Sequence, residues 1–128
     1  MRVLALDYGA ARTGVAISDE TGSIAAPVGI VERAASSDGL AKLEAIVREQ
    51  RVERVVVGLP LTLRGEIGAQ ARETLEFAAV LRHTLPVPVE TYDERFTTTL
   101  AADAGGEADE DARAAAYLLQ SYLRRVGG

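Results

Sequence analysis

The chain has 128 residues, 48% of them apolar, which is enough for one globular domain with a buried core. It has no cysteine, and this excludes disulfides, thiolate nucleophiles and zinc–thiolate sites. Its 14 basic and 19 acidic residues give a net charge of −5, which argues against broad nonspecific nucleic-acid binding but not against an enzyme that meets nucleic acid through an acidic metal site. No apolar run approaches the roughly 20 residues of a membrane span. Asp7 interrupts the first apolar segment too early for a signal peptide. A cytoplasmic protein without a membrane partner is expected.

Residues 2–7 form a buried strand that runs into a carboxylate, Asp7, and then a glycine turn, Tyr8-Gly9. Desolvating an unpaired carboxylate costs several kcal/mol, so a strand that ends this way needs a cation beside the acid. Residues 14–18 and 24–31 follow as second and third strands after short glycine-bearing connections, the pattern of an antiparallel meander. Pro27 and Gly29 place the third strand at a sheet edge. Ser36-Ser37-Asp38 offers helix caps, and Leu40, Leu43, Ile46 and Val47 carry a helix to about residue 50. Val55-Val56-Val57 is a β-branched run typical of a parallel strand covered on both faces, and Gly58-Leu59-Pro60 ends it.

Ile67, Ala71, Leu75, Ala78 and Leu81 share a face, which predicts a second helix over about 67–83. Val87, Val89 and Thr91 alternate in a last strand, held at an edge by Pro86 and Pro88. A short helix is expected near Thr97, a break at Gly105-Gly106 and a final helix over about 111–125. The order is β-β-β-α-β-α-β-α in a single domain, 1–128. It matches an α/β, ribonuclease-H-like fold: three antiparallel strands, then alternating helices and parallel strands in one mixed five-stranded sheet.

Ala115, Leu118 and Tyr122 make the apolar stripe of the last helix, and counting back four residues from Ala115 puts Asp111 on the same inward stripe. Alone, an acid in a first helical turn is explained by the helix dipole. A core-facing one needs a partner. Tyr92-Asp93-Glu94-Arg95 lies past the last strand, where sites form in α/β folds. Alternation puts Glu94 on one side and Asp93 on the other, and the pattern leaves open which points inward. Asp7, Glu94 and Asp111 are therefore the candidate catalytic and metal-binding residues. With no cysteine and one histidine, such a set suits Mg²⁺ or Mn²⁺. Two such ions about 4 Å apart support phosphodiester hydrolysis without a protein nucleophile. Arg12 and Arg64, in glycine-containing loops, are candidate phosphate contacts, with Arg95 and Thr62 beside them. His83, Arg124 and Arg125 sit at helix C-termini and read as structural. Ser18 and Thr97-Thr98-Thr99 have no adjacent histidine to activate a hydroxyl.

The chain also resembles the YqgF family, whose members are described as candidate nucleases for the 5′ end of the 16S rRNA precursor and as Holliday-junction-resolvase-like proteins. The matching segments are Leu6-Asp7-Tyr8-Gly9 with Arg12-Thr13-Gly14-Val15-Ala16, then Val57-Gly58-Leu59-Pro60-Leu61 with Gly65, then Tyr92 to Thr98, then Asp111 with Leu119-Gln120-Ser121-Tyr122-Leu123. They follow the family's order over essentially the whole chain. The resemblance implies a ribonuclease-H-like, metal-dependent nuclease with Asp7, Glu94 and Asp111 as its acidic triad. It also implies a role in ribosome maturation, with a structured RNA or branched DNA substrate. A monomer or weak homodimer is expected as the acting form. Three departures stand out. Thr62 replaces the family's asparagine, the 105–110 loop is short and acidic, and the strand ending at Gly58-Leu59-Pro60 lacks the acid that related resolvases carry there. Two other classes compete. An actin-like or sugar-kinase nucleotide-binding domain shares the strand-Asp-x-Gly hairpin but needs a second such domain. A noncatalytic ribosome-assembly factor would keep the fold without the chemistry.

Overall fold

The computed structural model describes residues 1–93 and 107–127, with side chains for all of these except 107–109 and 127. Its elements are β1 (Val3–Asp7), β2 (Arg12–Ser18), β3 (Ala25–Glu32), α1 (Ser37–Glu49), β4 (Arg54–Leu59), α2 (Ala69–Thr84), β5 (Val89–Asp93) and α3 (Glu107–Gly127). The sheet order is β3-β2-β1-β4-β5. β1–β2 and β2–β3 pair antiparallel, and β1–β4 and β4–β5 pair parallel. The element order and mixed sheet are those expected. β3, which carries Pro27, and β5, which follows Pro86 and Pro88, occupy the edges. In β3 the register slips opposite Val15/Ala16, so Val28 bulges between Pro27 and Gly29.

Side-chain alternation assigns each strand residue to one of two cores. Leu4, Leu6, Val55, Val57 and Val89 pack with Leu43 and Val47 of α1 and with Phe77, Ala78 and Leu81 of α2. Val3, Ala5, Ala16 and Val56 pack on the opposite face with Ala115, Leu118, Leu119 and Tyr122 of α3. The β-branched run of β4 is thus covered on both sides.

Several boundaries differ from expectation. α2 begins at Ala69 behind the Gly68 cap, which leaves Ile67 outside the helix and half exposed. Its buried face is Ala71, Thr74, Phe77, Ala78 and Leu81, rotated away from Leu75. β5 begins at Val89, because Pro86 and Pro88 cannot donate to the ladder, and it continues through Tyr92 and Asp93, which pair with Gly58 and Leu59 and are strand residues rather than loop. α3 begins at Glu107 rather than at 111. The stretch 107–110 is therefore the first turn of the helix rather than a loop. Asp111 consequently lies one turn inside the helix. The helix expected near Thr97 and the break at Gly105-Gly106 lie outside the described residues.

α3 crosses the sheet at a glycine. A Cβ on Gly14 would stand 1.9 Å from the Asp111 carbonyl oxygen and 2.5 Å from its carbonyl carbon. No rotamer change relieves a clash between two backbones. Gly14→Ala should therefore lower stability by about 2–4 kcal/mol in urea unfolding, the range of a severe core overpacking. Gly68→Ala, with nothing within 4 Å of the added carbon, should stay within about 1 kcal/mol of the parent.

Candidate metal and phosphodiester site

Asp7 is the last residue of β1, in phase with Val3 and Ala5, and so points to the α3 face. Its ladder partner on β2 is Gly14, the residue against which the Asp111 backbone packs. One pairing therefore brings the two acids together from opposite ends of the chain. The intervening hairpin is tight: a Cβ on Gly9 would meet the Arg12 carbonyl oxygen at 2.5 Å. The buried Thr13 hydroxyl lies 3.4 Å from both the N–H and the carbonyl of Gly9.

α3 is fixed along its length by polar contacts. Arg54 donates to the Tyr122 hydroxyl at 3.1 Å, and Tyr122 donates to Glu90. The Tyr92 and Ser121 hydroxyls lie 2.9 Å apart. Gln120 accepts from the Ala25 N–H and donates to the Ser23 carbonyl, both at 3.2 Å. Tyr92 and Tyr122 meet edge to face at 5.6 Å, with the Arg125 guanidinium 6.0 Å from the Tyr92 ring. These contacts fix the helix register, and with it the position of Asp111.

Burial, and then the charge of Asp111, push the Asp7 carboxyl up from its ordinary 3.8 to about 6. Asp111 is itself paired: Arg12 Nε donates to its Oδ2 at 3.0 Å, with about a third of each side chain exposed. Two carboxylates that repel each other beside a partly open rim make a hard, oxygen-only donor set, which fits a divalent cation of the Mg²⁺ or Mn²⁺ class. Among the described residues no third acid or imidazole joins the pair. Glu94 and Arg95 lie outside the described residues. A groove of about 290 Å³, lined by Pro27, Val28, Gly29, Ala112 and Arg113, runs beside Asp111.

Thr62 and Arg64 lie on the loop that follows β4, which leaves the sheet at the same end as Asp7. The Thr62 hydroxyl accepts from the Glu66 N–H at 3.0 Å, and the Thr62 carbonyl accepts from Gly65 at 2.8 Å, so Thr62 closes its own loop. Gly65 makes that turn with φ of 83°. Arg64 is exposed on the same loop, after the carboxyl end of β4. Ser18 is buried and accepts from the Val3 N–H at 2.8 Å, a structural role. Sequence reasoning missed Gly14. Its signal was a glycine inside an apolar strand, which marks a close backbone approach.

The Asp7 shift has a definite pH sign. Between 3.8 and about 6 the folded protein holds a proton that the unfolded chain has released. Stability therefore falls as pH rises through that window and stays lower above it. Asp7→Asn removes the effect. In metal-free buffer at pH 7.5 the variant should be more stable than the parent by up to roughly 3 kcal/mol. The gain should vanish below pH 3.8, as read by urea titrations at the two pH values.

Comparison with known proteins gives the family and the fold. The sequence pattern of the RuvX family, described as Holliday junction resolvase, matches residues 1–125. A protein of Chloroflexus aurantiacus named as a candidate pre-16S rRNA nuclease is 43% identical over 130 residues, covering 94% of this chain and 85% of its own. One of Desulforudis audaxviator with the same name is 42% identical, covering 96% and 94%. Thermus thermophilus RuvC, solved with a Holliday junction substrate, superposes with a TM-score of 0.57 at 18% identity, over 99% of this chain and 96% of that one. Fowlpox virus resolvase gives 0.55 at 11% identity. These two share the fold, which is ribonuclease-H-like. With a family pattern spanning the chain and relatives above 40% identity over nearly its whole length, the protein belongs to the RuvX family, the YqgF family of its motifs.

Proposed function

We propose that this chain is a single ribonuclease-H-like domain that hydrolyses phosphodiester bonds with divalent metal, in the cytoplasm, and that its substrate is the 5′ region of the 16S rRNA precursor. The observation that carries the reading is the convergence of Asp7 and Asp111 at the carboxyl end of β1, forced by the Gly14 crossing. The substrate is suggested by the names of the relatives at 42–43% identity. The family's description keeps a second reading, cleavage of branched DNA, in play.

Asp7 and Asp111 would hold the cation, Mg²⁺ or Mn²⁺. Glu94 is the third ligand in this proposal. Glu90 reaches Tyr122, and Tyr92 packs in the α3 core, whereas Val89 packs in the other core. Asp93 is in phase with Val89, and Glu94 is in sequence phase with Glu90 and Tyr92. When bound, the metal would supply an activated water and charge stabilisation at the leaving oxygen. Asp7 must be ionised to serve, and a nearby cation opposes the burial and repulsion that raise its pKa. Arg12 holds Asp111 in place and presents a guanidinium at the rim, where a phosphate would enter.

Mg²⁺- or Mn²⁺-dependent cleavage of a 16S precursor fragment is expected, with a four-way DNA junction run beside it. Asp7→Asn, Asp111→Asn and Glu94→Gln should each reduce the rate on the order of a hundredfold or more. Asp93→Asn should stay within a few-fold. Full activity in folded Asp7→Asn and Asp111→Asn proteins would overturn the mechanism. Cleavage of the junction alone would replace the RNA reading with the DNA one. Wild-type inactivity on both would favour an assembly factor.

A further inference from the structure

We propose that Arg33 forms a second phosphate-binding position, one that grips the nucleic-acid backbone on the flank of the carboxylate pair; the inference rests on the nuclease reading above. β3 and β1 run in the same direction, so the carboxyl end of β3 lies at the same end of the sheet as Asp7. Arg33 is the first residue past β3. Its N–H donates to the Ala11 carbonyl at 3.0 Å, which ties it directly to the hairpin between Asp7 and Arg12. Its own carbonyl accepts from the Ser36 N–H at 2.8 Å and from the Ser36 hydroxyl at 2.7 Å.

These bonds hold Arg33 at φ of 45°, in the left-handed region where a glycine is the expected residue. The backbone there would be satisfied better without a side chain. The guanidinium nonetheless projects at the surface, and among the described residues no carboxylate lies within 4.0 Å of it. Its neighbour Glu32, the ladder partner of Arg12, makes no ion pair with it. Of the hairpin residues after Asp7, Gly9, Ala10 and Ala11 are small, Tyr8 is stacked on Phe77 and Arg12 is paired with Asp111, so a sugar–phosphate strand over the turn would meet little side-chain bulk at its tip. Arg51 provides an internal contrast. It has nearly the same backbone, φ of 53°, but it follows the C-terminus of α1 at the opposite end of the sheet.

The test is equilibrium binding of a 16S precursor hairpin and of a four-way DNA junction, measured in Ca²⁺ across 50–200 mM salt. Arg33→Gly relieves the backbone while removing the charge, so its Tm should equal or exceed that of the parent. Its affinity should fall about threefold or more, and the slope of log Kd against log salt should fall by about one. Arg33→Lys should recover most of that slope. Arg51→Gly should match the parent in both. A loss confined to one probe identifies the substrate backbone that Arg33 meets. If wild type binds and Arg33→Gly binds equally with an unchanged slope, the Arg33 site is overturned and the nuclease reading stands. If wild type binds neither probe, both fall.

Discussion

The site depends on a missing methyl group. Gly14 allows the backbone of α3 to lie against β2 at the one rung of the ladder where Asp7 is the partner. Any side chain at that rung would lift the helix by a distance comparable to a bond length or more. Asp111 would rise with it. Two acids separated by about a hundred residues are thus brought together by backbone contact rather than by attraction, and their charges in fact repel. The fold holds them close against that repulsion, which is the arrangement a cation site requires before the cation arrives.

The energy that opposes the repulsion is distributed along α3. Ala115, Leu118, Leu119 and Tyr122 bury fully against one sheet face. The Arg54–Tyr122–Glu90 chain, the Tyr92–Ser121 contact and the two Gln120 bonds fix rotation and translation of the same helix. On α3 these residues lie one to three turns beyond Asp111. They position Asp111 from a distance, because a helix anchored over several turns has little freedom left in its first two. On the other face, Tyr8 stacks on Phe77 of α2 with centroids 4.2 Å apart, which holds the residue next to Asp7.

How much of this was legible in sequence follows from which interactions are local. Strand direction, edge placement and the inward stripe of α3 were readable, because hydrophobic periodicity and proline act within a few residues. Asp111 was found by counting four back from Ala115, a purely helical argument. Boundaries were less readable. The acidic run 107–110 looks like a loop by composition but completes a helix whose packing is decided by residues further along. β5 starts two residues late because Pro88, which has no N–H, meets the sheet only through its carbonyl, which accepts from the Val55 N–H. Gly14 was hidden for a different reason. Its meaning lies in a contact nearly a hundred residues away, and no window along the chain contains both partners. Thr62 shows the converse. It stands where the resemblance led to a substrate contact, yet its hydroxyl is taken up by its own turn.

The charge balance ties these points together. A chain of net charge −5 gains nothing from general attraction to nucleic acid. On the proposed reading, the two carboxylates and an incoming phosphate would repel one another. A divalent cation between them reverses the sign of the local field, and only then do the arginines at that rim act with the site rather than against it. Binding linkage makes the effect mutual: whatever factor the cation contributes to substrate affinity, the substrate contributes to cation affinity. A protein built this way should ignore nucleic acid in the absence of divalent metal and hold the metal weakly in the absence of substrate. Selectivity then comes from requiring both at once, which an acidic surface enforces and a basic one would forfeit.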